Sequence, residues 1–501
     1  MKRRDFLQAS AALGGAGISP AFALATNGQV FDAAAAKTPW LTPFKGVSDA
    51  TQDLRCDALT LTGRWPAALR GRFYRNGPAL YERGGQRYHH WFAGDGMVQQ
   101  FSFSGDARAA VRHIGRLVRT PKLLAEQQAG HFLHNAYGTH IGGDTPTQGP
   151  DSYNVANTSA IEHAGRVLAM WEGGSAFALS PDDLSTLGPV TWQEGLAQMP
   201  FSAHPKLDAA GTLWNFGSAG ANLVVWQIDA RGQLVKAQVG ESPYPGGMAH
   251  DAAITAQYIV LPLPPIKFNF GEDVAGKAFE YQPQEPLRIL VMRKDDITQR
   301  RVFELPAQML FHVGNAWETR DGQIALSFVA EREPNFVTRS AAALISGRSA
   351  SLVGTSTQLA RLDMRSGRAS VQGLGDAVEF PRVHPDRNGL PTRYLLSAAN
   401  WRSAATPVNW FHGLQLRDVE SGRVQRYDYG PNSVVEEHII VPKPGGRHEL
   451  DAWLLGTTFD IQRQVTRVNV LEARHIGDGP IAQATLPYLL PYGFHGNFTA
   501  A

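Results

Sequence analysis

The sequence predicts an all-β protein, either a propeller or a large sandwich. Short apolar runs bounded by Gly, Pro, Asp or Asn recur along most of its length. Turn signals join neighbouring runs into hairpins, and helical periodicity is scarce. The 51 glycines and 31 prolines among 501 residues suit many turns between short strands. With 43% hydrophobic residues, the chain can fill one large core or those of two to three ordinary domains.

Residues 1–25 are expected to be an export signal rather than fold. Lys2, Arg3 and Arg4 precede Asp5-Phe6-Leu7, a small apolar stretch follows, and Ala23-Leu24-Ala25 offers an A-x-A cleavage site. Arg3-Arg4 with Phe6-Leu7 gives a twin-arginine signature, which predicts a periplasmic or secreted protein. The apolar stretch is too short and too rich in Gly and Ala to be a transmembrane helix. Residues 26–50 read as a linker and N-terminal arm. Beyond them, strand character is clearest in 166–171, 222–229, 258–263, 287–293, 323–329 and 452–458. Hairpins are expected at 207–215, 317–325 and 416–425, where Asp, Gly and Ser sit between apolar runs. The best helix is 121–133, opened by Pro121, and 341–345 is a second. No repeat period is clear enough to count blades.

Charge and cysteine narrow the function classes. The signal carries three basic residues and one acid, a balance equal to the whole chain's formal +2, so the mature chain is near neutral. A nucleic-acid partner has no electrostatic support. Cys56 is the only cysteine, which excludes an intramolecular disulfide. An exported protein without disulfides suits the twin-arginine route, which carries folded proteins and so permits a cofactor to be inserted first.

Four histidines have similar surroundings: His204 in Phe-Ser-Ala-His-Pro, His250 in Met-Ala-His-Asp, His312 in Phe-His-Val-Gly-Asn and His495 in Gly-Phe-His-Gly-Asn. Imidazole nitrogen suits zinc, copper, iron and nickel. Gaps of 46, 62 and 183 residues exclude the closely spaced ligand pairs of a zinc finger. Only a closed, many-stranded fold could bring them to one point. Each histidine alone reads equally as a turn or core residue.

The wider sequence resembles the carotenoid cleavage oxygenase family from about residue 50 to the C-terminus. The motifs are Gly71-Arg-Phe-Tyr-Arg-Asn-Gly-Pro78, Tyr88-His-His-Trp-Phe-Ala-Gly-Asp-Gly-Met97, Asn157-Thr158 and Leu168-Ala-Met-Trp-Glu172. After these come the four histidine contexts, and among them Val378-Glu-Phe-Pro381 and Glu437-His-Ile-Ile-Val-Pro442. The resemblance implies a seven-bladed β-propeller oxygenase domain over 51–501, with a helical and loop cap over the iron centre. It implies one Fe(2+) per chain, held by His204, His250, His312 and His495, with dioxygen as co-substrate. It also implies that Glu172, Glu379 and Glu437 orient the ligands, as carboxylates do when they accept the distal N–H of a metal-bound imidazole. Glu437 has Glu436 beside it and His438 where the family usually has proline. Thr158 matches a threonine whose methyl group crowds one open iron position. His89 and His90 read as architectural, and 131–140 contains no convincing site.

The activity implied is oxidative cleavage of a C=C double bond into two carbonyl products. The partner is a hydrophobic polyene or stilbene-like molecule, with peripheral membrane contact as a further expectation. Residues 261–270 and 340–353 are candidate lid segments, alternatively loops packed on their own blades. The lysine expected of the lignostilbene branch is missing from 130–139, which favours a carotenoid or apocarotenoid. A non-catalytic polyene-binding propeller should have lost a ligand or an orienting acid; none is lost here.

Overall fold

The computed structural model describes residues 26–105, 111–269, 278–350, 354–375, 377–401 and 410–501. The export signal at 1–25 and parts of both lid segments, Phe270 and 351–353, lie outside the described residues.

Seven antiparallel sheets of four or five strands form the blades of a β-propeller. Five blades are simple meanders: 159–189, 206–241, 253–305, 309–375 and 377–428. The ring is closed twice. His495–Ala500 pairs with Arg70–Leu80 and becomes the innermost strand of the first blade. Thr60–Gly63 pairs with Pro480–Thr485 at the outer edge of the last. Both chain ends are thereby stitched to strands more than 400 residues away. This leaves only the short outer edges of the blades open, as is usual for the architecture.

The burial of the central strands explains why they read as near-continuous apolar runs. Gln323–Glu331 is buried at all but one position, because each blade is covered on both faces by its neighbours. Val260, Ile289 and Phe303 of one blade meet Leu310, Val313 and Phe328 of the next. Each such side chain contributes about 1.5–3 kcal/mol when fully buried. Outer strands such as Leu234–Glu241 are half exposed and mixed in composition.

The expected hairpins form at Lys206–Leu207 with Leu213–Ala219, Met309–Glu318 with Gln323–Glu331, and Gly413–Asp418 with Val424–Asp428. The expected helix runs over Pro121–Ala129, four residues shorter at its C-terminus than predicted, because Gly130 caps it in the left-handed conformation. Ala341–Ile345 is helical and follows a π-turn at Phe336–Ser340.

The N-terminal arm is more ordered than a linker. Thr26 opens a helix over Asn27–Lys37 through a capping box, and a 3-10 segment follows at Pro39–Lys45. Phe31, Trp40, Leu41 and Phe44 are buried with Trp91, Trp410 and Tyr492. Together with Trp91–Ala93 and 336–345, this segment caps one end of the propeller.

Of the two readings of residues 261–270 and 340–353, packing on the protein is the one observed where they are described. Tyr258–Leu263 is a buried second strand of its blade, and Ile266–Phe268 pairs with Phe279–Tyr281. Ala341, Leu344 and Ile345 face the core. Where described, both segments pack on the protein, because their apolar residues alternate inward along regular elements. No helix among the described residues is long and apolar enough to cross a membrane.

Candidate metal centre

The innermost strands begin at the capped end, and the site residues collect there. His204 lies just before Lys206–Leu207 and His250 just before Ala253–Ile254. His312 stands inside Met309–Glu318, and His495 opens His495–Ala500. One nitrogen from each of the four rings lies within 4.8 Å of the others. His204 Nε2 is 3.1 Å from His250 Nε2, which is 3.3 Å from His312 Nε2. With metal–nitrogen bonds of about 2.1 Å, such pairs subtend about 100° at a shared ion.

Irregular strands make this convergence possible. Register shifts fall between Leu310 and Asn315, between Glu379 and Arg382, and between Val435 and His438. A bulge re-aims side chains that strict alternation would send away from the axis. Phe380 adopts φ +57°, which costs an aromatic residue about 1–3 kcal/mol, and its N–H donates to Glu379 Oε2. That strain sits beside the carboxylate it helps to aim.

Three of the four rings are oriented by carboxylates. His250 Nδ1 lies 2.8 Å from Glu172 Oε1, His312 Nδ1 2.6 Å from Glu379 Oε2, and His495 Nδ1 3.0 Å from Glu437 Oε1. A carboxylate accepts the Nδ1–H, so the Nε2 lone pair faces the centre. His250 and His312, both held as Nδ1–H tautomers, face each other with Nε2 lone pairs at 3.3 Å, which repel unless a cation lies between them. The donor set therefore fits a divalent transition metal with neutral nitrogen ligands.

At His204 and His495 the electrostatics also favour the neutral ring. Burial pushes the His495 ring down to about 4, against the pull of Glu437. Burial and the neighbouring rings hold His204 well below the ordinary value. At His312 burial is outweighed by the Glu379 carboxylate, which draws positive charge to the ring. Burial alone would raise Glu437, yet Arg382 and His495 bring it down to about 2. Glu172 is likewise lowered, because the His250 bond outweighs burial.

The ambiguity between Glu436 and Glu437 is resolved by partners. Glu437 also accepts from Arg382 Nε at 2.9 Å and from the Gly496 N–H at 2.8 Å. Glu436 instead pairs with Arg75 and accepts from Thr457 Oγ1 and the Gly493 N–H. His438 is buried and bonds the Glu436 carbonyl and the Tyr429 hydroxyl.

Thr158 lies in the wall beside Trp171 and Glu172. Its N–H donates to the Met170 carbonyl at 3.0 Å and its Oγ1 to Asn157 Oδ1 at 3.2 Å. Asn157 donates in turn to the carbonyls of Phe92 and Gly94. A side chain at Gly96 would meet the Ala156 carbonyl at 2.2 Å, so this glycine permits the close approach. The N-terminal signature thus braces the Thr158 segment. Within it, His90 bonds the Val337 carbonyl and the Phe92 N–H, and His89 bonds Asn27 and the Gly138 carbonyl.

One neighbour of the centre went unmarked by the sequence pattern. Asp251 is buried with Oδ1 3.9 Å from His204 Nδ1, too far for a hydrogen bond. It accepts from Lys206 Nζ at 2.8 Å and from the Val313 N–H at 2.8 Å, tying the His204, His250 and His312 segments together. An acid directly after a candidate ligand was the available signal.

The His250, His312 and His495 rings open onto a cavity of about 200 Å³. Phe92, Tyr137, Trp171, Phe279, Phe311 and Phe494 form much of its wall, and no described Lys or Arg lines it.

Comparison with known proteins agrees with this arrangement. Residues 47–500 match the family model described as retinal pigment epithelial membrane protein. The apocarotenoid-15,15'-oxygenase of Synechocystis sp. is 30% identical over 467 residues, covering 87% of this chain and 91% of that protein. Lignostilbene-alpha,beta-dioxygenase isozyme III of Sphingomonas paucimobilis is 28% identical, covering 91% and 97%. The crystal structure of the cobalt-substituted Synechocystis oxygenase superposes with a TM-score of 0.80 at 27% identity, over 92% of this chain and 99% of that one.

Proposed function

Because the chain belongs to the carotenoid cleavage oxygenase family, that of retinal pigment epithelial membrane protein, we propose that it is a non-haem Fe(II) dioxygenase cleaving a C=C bond of a carotenoid or apocarotenoid. One observation carries the reading. Four imidazoles converge, and the three braced by carboxylates line an aromatic cavity that no described Lys or Arg lines. Fe(II) bound there would supply the centre at which dioxygen is bound and activated. One C=C bond and one O2 become two C=O groups, so the overall balance needs no other reductant.

The chain's own residues do the rest. Glu172, Glu379 and Glu437 hold Nδ1–H of three rings and offset the charge of a bound cation. Thr158 lines the same cavity, and its methyl would narrow one side of a metal held by the four histidines. The aromatic wall excludes water and aligns an extended apolar chain. No side chain is required as a general acid or base in the overall conversion.

A lignostilbene-type alkene is the second reading, favoured by Tyr137, whose ring lines the cavity. A non-catalytic polyene binder is disfavoured by the retention of all four histidines. Incubation with an all-trans apocarotenoid under oxygen should yield shorter aldehydes, with labelled O2 reporting whether both oxygens enter product. Cleavage of stilbenes alone would replace the substrate; full activity without iron would end the mechanism.

The export reading is part of the proposal: the protein is periplasmic or secreted through the twin-arginine route. Arg3→Lys with Arg4→Lys should trap it in the cytoplasm. Substrate is proposed to reach the cavity through peripheral contact with a membrane, which flotation with liposomes would test.

A further inference from the structure

The wall contains one feature that alkene cleavage does not use. Glu331 ends the strand Gln323–Glu331 and faces the cavity, 8% exposed. In the sheet it pairs with Met309 on one side and Thr355 on the other. Thr355 also lines the cavity, and its buried Oγ1 has no hydrogen-bond partner among the described residues. The Phe336 N–H reaches Glu331 Oε2 only at 3.4 Å, long for a hydrogen bond, and no described Lys or Arg lines the cavity beside it. A carboxyl and a hydroxyl so poorly paired in an aromatic wall are costly unless a ligand completes them.

We propose that Glu331 and Thr355 are specificity-determining residues that receive an oxygenated end of the substrate, a hydroxyl or carbonyl group, by hydrogen bonding. The proposal rests on reading this cavity as the substrate site. Burial pushes the Glu331 carboxyl up to about 7, so at neutral pH both the acid, which donates, and the carboxylate, which accepts, are present. Met309, the strand partner of Glu331, precedes His312 by three residues across a bulge, so the recognition point lies within roughly 10 Å along the strand from the metal centre. Anchoring one end at that distance selects which double bond is presented for cleavage.

The test uses a matched pair of polyenes of equal length, one with a terminal hydroxyl or aldehyde and one a plain hydrocarbon. Binding to the iron-loaded protein is read without oxygen by quenching of the cavity tryptophans Trp91, Trp171 and Trp410. The wild type should bind the oxygenated partner about tenfold more tightly, the worth of one net hydrogen bond. Glu331→Leu should erase that difference while leaving hydrocarbon binding unchanged; Glu331→Gln should retain most of it, and Thr355→Val should lose part. Equal affinity of the wild type for the pair, or equal weakening of both by Glu331→Leu, overturns the inference. Product analysis under oxygen separates this from the proposed activity. Cleavage of both polyenes without preference leaves alkene cleavage standing and removes Glu331. Failure to bind either polyene removes the cavity reading and the inference with it.

Discussion

Replacing Glu437 by Gln should cost the fold more than the same change at Glu172, although both carboxylates orient a histidine. Three donors converge on Glu437: His495 Nδ1–H and Arg382 Nε–H at Oε1, and the Gly496 N–H at Oε2. An amide presents an oxygen to one side and an NH2 to the other, so the Glu437→Gln side chain must oppose at least one donor with a donor. One buried unsatisfied donor costs about 1–3 kcal/mol. Loss of the charge also strips Arg382 of its counter-ion, a change worth about 3–5 kcal/mol when fully buried. The Arg382 side chain keeps 27% exposure, so that figure is discounted by more than half. The combined expectation is about 3 kcal/mol, read as a lower urea midpoint for metal-free protein at pH 7. Glu172→Gln affects chiefly the His250 bond; its stability should stay within about 1 kcal/mol of wild type, while metal affinity falls roughly 10–100-fold. Equal urea midpoints for the two variants would refute the argument that converging donors, rather than ligand orientation alone, set the role of Glu437.

Other consequences are open to measurement. His250→Ala or His312→Ala should reduce iron from about one per chain to background and abolish cleavage; retained iron would remove that residue from the ligand set. Burial depresses His90 to about 4, His113 to about 3 and His438 to about 4, below an unfolded value of about 6.5. The fold favours their neutral forms, so their stabilisation is complete above pH 6.5 and is lost as pH falls towards 4. Each contributes about 1.4 kcal/mol per pH unit there, about 4 for the three together, and a flat urea stability between pH 6 and 4.5 would contradict this. Thr158→Ser removes the methyl group and should lower product formed per O2 consumed. Thr158→Val keeps the methyl and should not; identical ratios would deny the methyl its role.

Much of the site could be named from the chain alone because its residues stand in ordered contexts that resemble the family's. His204, His250, His312, His495, Glu172 and Glu379 each stood in a distinctive context, and the structure brings all six to one centre. Glu437 was named over the adjacent Glu436 only through the family resemblance, because both are acids in one strand and a register shift decides which of them reaches His495. Asp251 and Glu331 were passed over for the same reason. An acid's role depends on what faces it, and those partners come from other blades or from the cap.

Local patterns along the chain dictate the all-β class and the hairpins, since apolar runs and turn residues act over short distances, whereas the candidate ligands were named through the resemblance of their contexts to the family. The double closure and the packed N-terminal helix emerge only in the folded ring, and the seven blades were implied by the family resemblance rather than by any repeat period. Strands such as Thr60–Gly63 and His495–Ala500 find their partners across the whole ring, and no local pattern records a pairing over 400 residues. The centre itself belongs to both: the ligand types are written in the chain, while their convergence depends on bulged strands meeting at one end of a closed propeller.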